Sequence, residues 1–237
     1  MDSTTTTQVP LTRIQKLIGK RMLASKRTKP CFYLERKADV TELLGRRHKI
    51  SKALKVKITS NTFLIRALAL AARRYPLMLG RFVEEDMDSP IETPVVRIPE
   101  AINVGFAVNS PQGLVVPVIK HADRKTMAEI ATEEKTLVAK SRSNKLTLEE
   151  IEGETIALSN LGAYGIDTFY GIVPLPAGTI LSVGNPTYTV VPRESQFVAR
   201  RLMSLSIAVD HRVIHDDYAA KFLCLVAKKL QDPNHLL

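Results

Sequence analysis

The amino-acid sequence predicts a mixed α/β fold, an α+β arrangement in which a mixed sheet is covered by helices. Three features point there. Helical and strand-like segments interleave without the regular βαβ alternation of a doubly wound sheet. The stretch Thr59 to Tyr75 is apolar nearly all round and rich in Ala and Leu, the pattern of a helix buried on most sides. After Gly153 the pattern shifts to short apolar runs, Thr155 to Leu158, Thr179 to Val183 and Leu202 to Val209, parted by loops rich in Gly and Pro. The 237 residues, 45% hydrophobic and 24% charged, suit one folded domain with a substantial core better than two small domains or a disordered chain.

Met1 to Pro10 is threonine-rich and reads as a flexible lead or linker stub, so the domain is set at residues 11–237. Ile14, Leu17, Ile18 and Met22 recur at helical spacing, with Lys16, Lys20 and Arg21 on the other side, and Lys29-Pro30 stops that helix. Cys31 to Val40 alternates and carries aromatics, as a strand does; Asp39 or Thr41 then opens a second helix. Pro76 closes the long buried helix. Ala101 to Val108 and Leu114 to Ile119 form two strand-like runs joined by the turn Asn109-Ser-Pro-Gln-Gly113. Thr126 to Ser141 is an amphipathic helix, and Thr147 to Ile151 reads as a further short one, with Thr147 as N-cap and Glu150 three residues on. The final helix is placed at Tyr218 to Leu230.

Composition narrows the function classes. Cys31 and Cys224 lie far apart in apolar surroundings, which speaks against a disulfide framework or thiolate metal site and for buried reduced thiols. Phe63 to Ala72 contains Arg66 and is too short to cross a bilayer, and the first ten residues lack the apolar run of a signal peptide. The chain is therefore expected in the cytoplasm, or in the mitochondrial matrix if it is eukaryotic. The surplus of 34 Lys+Arg over 24 Asp+Glu, a net +10, could serve nucleic acid, a polyphosphate-bearing small molecule or solubility. Nucleic acid fits worst: the basic residues are scattered, aromatics are only 5%, and no zinc-finger spacing occurs.

Two segments could carry chemistry. In Ser204 to Asp217, His211 follows an apolar strand and precedes the last helix, a place where a loop can present an imidazole to a ligand for proton exchange near neutral pH. A lone histidine is more often an ordinary hydrogen-bond partner. His215, Asp216 and Asp217 add a second imidazole and two carboxylates, which also permits a divalent-metal reading if a helix begins by His211. The helix start is placed later, so no metal site is assigned. In Ala157 to Gly162, Ser159 ends a strand and could donate to a developing oxyanion, against the commoner role of a turn hydroxyl.

These two segments, in this order and with Lys20-Arg-Met22, Gly113-Leu-Val-Val-Pro-Val-Ile119, Ile180-Leu-Ser-Val-Gly184 and Asp232-Pro233, resemble the catalytic domain of the dihydrolipoamide acyltransferases, core components of 2-oxoacid dehydrogenase complexes. The resemblance runs from about Val9 to Leu237. It implies a chloramphenicol acetyltransferase-like, trimeric fold with active sites in channels between subunits, coenzyme A entering at one end and a dihydrolipoyl arm at the other. His211 would be the general base and Ser159, from the neighbouring subunit, the oxyanion donor. The lipoyl group would come from another domain or protein, since neither a lipoyl domain nor a peripheral-subunit-binding domain precedes this one. Leu236 and Leu237 would enter a pocket on an adjacent trimer and build a cubic or icosahedral shell.

The sequence departs from the family pattern in two places. Where the motif has an aspartate and a glycine after the histidine, this chain has His215 and Asp216, so a fixed negative charge is lost and bulk and backbone strain are expected. Val173-Pro-Leu-Pro176 replaces an asparagine followed by two prolines near the subunit interface. These departures leave two readings: an acyltransferase, or a structural core subunit derived from one that has lost efficient turnover.

Overall fold

The computed structural model describes residues 7–84, 94–111 and 113–237; Met1 to Thr6 of the expected lead and Gln112 of the expected turn lie outside them. The chain begins with α1 (Arg13–Thr28), β1 (Cys31–Asp39), α2 (Thr41–Ala53) and α3 (Ser60–Arg74). Short strands β2 (Arg81–Val83), β3 (Val95–Arg97), β4 (Val104–Phe106), β5 (Val108–Ser110), β6 (Gly113–Val115) and β7 (Val118–Ile119) follow. Then come α4 (Met127–Arg142), β8 (Ile156–Asn160), β9 (Thr179–Val183), β10 (Thr187–Arg193), β11 (Gln196–Asp210) and α5 (Asp216–Gln231).

Local sequence explains the helix starts. Thr12 with Gln15, Thr59 with Thr62 and Thr126 with Glu129 each form a reciprocal capping box at the head of α1, α3 and α4. The same pattern at Thr147 and Glu150 does not start a helix. The Glu150 carboxylate does accept from the Thr147 amide at 2.9 Å, but residues 147–151 form only turns before Gly153, which has φ +82°. So few residues before a left-handed glycine cannot repay helix nucleation.

The main sheet has the order β1-β11-β9-β8-β4-β7, with β10 also paired to β11. It is mixed: β8 runs parallel to β4 and β9, while β11 is antiparallel to β1, β9 and β10. This is the α+β class that the interleaved pattern predicts. Two expected strands are each broken in two. Val116-Pro117 separates β6 from β7, and β5 and β6 form a separate small hairpin while β4 and β7 join the main sheet. Proline lacks an N–H for the ladder, which is why the run cannot pair throughout. The sequence reading also missed β10, whose hairpin with β11 turns at Glu194 with φ +52°.

The two faces of the sheet are treated differently. Phe32, Leu34, Leu158, Leu181, Leu205, Ile207 and Val209 meet α3 and α5 in the main core, together with Phe63, Leu68 and Phe222. The other face carries only a small cluster of Ala157, Ile180 and Ala208 under Val173, with Cys31 at its edge. That face is roofed by the β8–β9 connection, which is bound through Ser206 to the Phe169 carbonyl and through the Gly171 amide to Ser182 Oγ. Neither thiol is fully buried: Cys31 is half-buried and Cys224 exposed, because Cys224 falls on the outer side of α5, although both are free as expected. No helix among the described residues is long and apolar enough to cross a membrane.

The chain end corrects one expectation. Pro233–Leu236 forms a 3₁₀ turn that places Leu236 at 0% exposure in the core of its own protomer, whereas Leu237 is 59% exposed. Leu236 is thus committed to its own fold, and Leu237 alone of the pair is free to reach a neighbour. Leu236→Ala should cost about 2–5 kcal/mol of stability and Leu237→Ala less than about 0.5 kcal/mol, as read from chemical denaturation of each variant.

Candidate active site

Strand β11 is buried from Met203 to Asp210 and is held on both sides, by β1 and β9, until the ladder ends at the pair Cys31 and Asp210. There the chain turns. The Asp210 carbonyl accepts from the amides of Val213 and Ile214, and the Asp210 amide donates to the Gly178 carbonyl. The Asp210 side chain, 1% exposed, receives Arg212 through Nε at 3.0 Å and Nη2 at 2.7 Å. This bidentate bond raises the Arg212 pKa further. The guanidinium lies over the Phe82 ring at 4.3 Å.

His211 projects from this turn. Its amide donates to the Pro30 carbonyl at 3.1 Å, and its exposed ring packs edge-on against Phe32 at 5.1 Å and His215 at 5.8 Å. A rigid strand end therefore carries a solvent-accessible imidazole, which is what proton transfer to a bound ligand needs. Lys29 lies close by, 9% exposed, its pKa lowered to about 8 because burial outweighs the attraction of Asp210.

His215 occupies the N-cap position of α5 without a capping hydrogen bond, and the helix begins at Asp216. His211 and His215 are consequently not ligands on one helix, and among the described residues no group of three or more His, Cys, Asp or Glu is placed to hold a metal. The strain expected at Asp216 is not seen. It is the first helical residue and is absent from the positive-φ positions, and a carboxylate there is favoured by the helix N-terminus. Asp217 pairs with Lys221 at 3.0 Å one turn on.

Ser159 lies elsewhere. It is level with Ser182 on β9, which is level with Ser206 on β11, and His211 is five positions beyond Ser206 in the direction away from Ser159's end of β8. Five residues of strand and two strand spacings separate the two groups by on the order of 15–20 Å within one protomer. A single chain brings His211 and His215 together and keeps Ser159 apart from them.

Ser159's end of the sheet opens on a cavity of about 710 Å³, lined by Asn160, Gly162 and Gly184 on one side and by Thr59, Asn61 and Glu134 on the other. Lys57, Lys135 and Arg142 give it a cationic rim. Glu134 is 4% exposed; burial pushes its carboxyl pKa up, partly offset by hydrogen bonds donated by the hydroxyls of Thr62 and Thr59.

With this geometry in view, comparison with known proteins places the chain. A sequence model of the 2-oxoacid dehydrogenases acyltransferase (catalytic domain) matches residues 3–237. The chain belongs to that family. A dihydrolipoyllysine-residue acetyltransferase component of the pyruvate dehydrogenase complex from Rickettsia prowazekii is 34% identical over 229 residues, 95% of this chain and 54% of that protein. The chain spans about half the length of the curated relatives it matches. Among solved structures, the dihydrolipoamide acetyltransferase of Azotobacter vinelandii superposes with TM-score 0.90 at 29% identity, covering 98% of this chain and 95% of that one. That structure addresses a serine, a histidine and an asparagine in the catalytic mechanism. The cubic core of a pyruvate dehydrogenase multienzyme complex gives TM-score 0.90 at 30% identity, with 98% and 95% covered. A chloramphenicol acetyltransferase, 14% identical with TM-score 0.51 over 92% of this chain and 94% of that one, shares the fold.

Sequence reasoning singled out His211 and Ser159 as candidates but gave no role to Asp210, Arg212 or Lys29. The signal for the first two was a pair of opposite charges flanking the histidine at the end of an apolar strand; Lys29 was read only as part of a helix stop. Because Glu134's folded-state pKa is raised, the unaltered fold loses stability as pH climbs from the ordinary carboxylate range through that raised pKa. Glu134→Gln should match or exceed the parent in thermal unfolding at pH 8, relative to the difference between them at pH 4, where both side chains are neutral.

Proposed function

We propose that this domain transfers an acyl group between coenzyme A and a dihydrolipoyl thiol, in a homotrimer whose neighbouring subunits complete each site. The observation that carries the reading is a spacing. In the Azotobacter vinelandii enzyme the catalytic histidine follows the serine by 52 positions and precedes the asparagine by 4, and Ser159, His211 and His215 have those separations here. The separation of Ser159 from His211 within one protomer calls for a second subunit to supply the missing partner.

His211 takes the proton of the attacking thiol, and the thiolate adds to the thioester carbonyl. Ser159 of the adjoining subunit donates a hydrogen bond to the oxyanion. Collapse of the tetrahedral species expels the second thiolate, which recovers the proton from His211, so protons and acyl groups balance in either direction. Coenzyme A occupies the cavity beside Asn160, where Lys57, Lys135 and Arg142 suit its phosphates, and a basic hollow lined by Arg47, Lys52 and Lys55 adjoins through the shared Lys57. The lipoyl group arrives on another domain or protein and reaches His211 from the far end. His215 and Asp216 do not argue for an inert scaffold. The corresponding position in the Azotobacter vinelandii enzyme is an asparagine, so this chemistry does not require a fixed charge there.

Trimers build a larger cubic or icosahedral core, with Leu237 available for contacts between them. With acetyl-CoA and free dihydrolipoamide, His211→Ala should lower kcat at least about a thousandfold and Ser159→Ala about a hundredfold, with KM little changed. A chain that runs as a monomer in light scattering at assay concentration, or a His211→Ala variant that turns over like the parent, would refute the reading; particles no larger than trimers would remove only the shell. His215→Asp with Asp216→Gly should change kcat by less than about tenfold, because both groups contribute orientation rather than the transferred proton.

A further inference from the structure

One stripe of α1 faces Val173-Pro-Leu-Pro176, one of the two segments that depart from the family pattern. Arg21, Ser25 and Lys29, four residues apart and so on one side of the helix and its end, each donate to carbonyls of residues 173–177. Arg21 Nη2 reaches Leu175 at 2.9 Å, Ser25 Oγ binds Val173, and Lys29 Nζ binds Ala177 and, at 3.4 Å, Pro174. Two of these five residues are prolines without N–H groups, so the segment has fewer backbone donors than carbonyls, and side chains supply the donors seen here. Arg21 is half-exposed and Ser25 is neutral. Lys29 differs, for it is a cation with 9% exposure. Burying an ammonium is costly unless charges and acceptors surround it.

Those acceptors connect it to His211. Lys29 lies with Asp210 and Arg212 around a cavity of about 240 Å³ that Arg81 and Glu84 also line, and Asp210 is the charge that most favours its protonated form. Its own carbonyl accepts from the Cys31 amide, and the next carbonyl, that of Pro30, accepts from the His211 amide. The Gly178 carbonyl, one residue past Ala177, accepts from the Asp210 amide. Lys29 therefore sits where the start of β1, the end of the β8–β9 connection and the end of β11 converge, directly behind the turn that carries the imidazole.

We propose that Lys29 is a positioning residue for His211, joining residues 174–177 to the Asp210–Arg212 pair and so fixing the turn from which the imidazole projects. The inference rests on His211 acting as the base. Without the ammonium, the Pro174 and Ala177 carbonyls lose their donor and Asp210 keeps Arg212 as its only close side-chain cation in the described residues. The turn then relaxes, and a shift of about 1 Å in a reacting group is enough for a loss on the order of a hundredfold.

The assay is acyl transfer from acetyl-CoA to dihydrolipoamide by the intact oligomer. Lys29→Met should lower kcat at least about tenfold with KM for acetyl-CoA within about twofold, and Lys29→Arg should recover most of the loss. Ser25→Ala, which removes a bond to the same segment without facing Asp210, should keep kcat within about threefold. The pH profile separates positioning from plain stability. The groups facing Lys29 are Asp210, Arg212 and Cys31, with Arg81 and Glu84 across the small cavity. As the ammonium loses its proton above about pH 8, the parent's kcat should fall, and Lys29→Arg, permanently charged, should lack that fall. If Lys29→Met is insoluble, the two pH profiles alone decide. A kcat for Lys29→Met within twofold of the parent, an equal loss in Ser25→Ala, or the same alkaline fall in Lys29→Arg would each overturn the proposal. Equal turnover by the parent and His211→Ala would instead overturn the reading of the base.

Discussion

The structure depends on a carboxylate buried at the end of its longest strand. Asp210 is 1% exposed, and a bare charge in that position would be untenable; it is stable because Arg212 binds it bidentately and Lys29 lies behind it. Its backbone closes the turn that follows, and its amide anchors the connection from β8 to β9. One short stretch thus fixes the end of the sheet, the roof over its second face and the direction of His211. The cost of breaking such a cluster is high, since removing one partner leaves another charge buried without compensation.

The unequal faces of the sheet support the proposed assembly with neighbouring copies. The face toward α3 and α5 is filled by large apolar side chains, whereas the described opposite face has a small cluster of Ala157, Ile180 and Ala208, serines and a connection bound by side-chain hydroxyls. Tyr164, Tyr170 and Ile172 of that connection, and Leu17 and Leu23 of α1, remain exposed. Large apolar groups concentrated in this way are what the proposed interface between copies would cover.

The departures from the family motif also gain a physical account. His215 packs edge-on against His211, an aromatic contact in place of a charged one, and Asp216 enters a helix N-terminus that favours it. The Val173-Pro-Leu-Pro176 segment is secured by donors from α1 and its C-cap Lys29, side chains far from it in sequence.

Periodicity was enough to read the five long helices and the mixed α/β class, because it depends on residues within a few positions of one another, whereas the capping pattern at Thr147 misled. The run ending in Asp210-His211 announces a strand end. His211 and Ser159 were legible as candidates from their places at strand ends, and the resemblance supplied the roles expected of them. Tertiary structure decided that Leu236 is core, that Thr147 opens no helix, that the run interrupted by Pro117 splits between two sheets, and that Lys29 is buried near Asp210. Leu236 and Lys29 are settled by contacts between segments distant in the chain, whose energies no local pattern encodes, whereas Gly153 and Pro117 act on their own neighbours. The distance between Ser159 and His211 is of the former kind: it follows from strand order and register, which exist only once the sheet has formed.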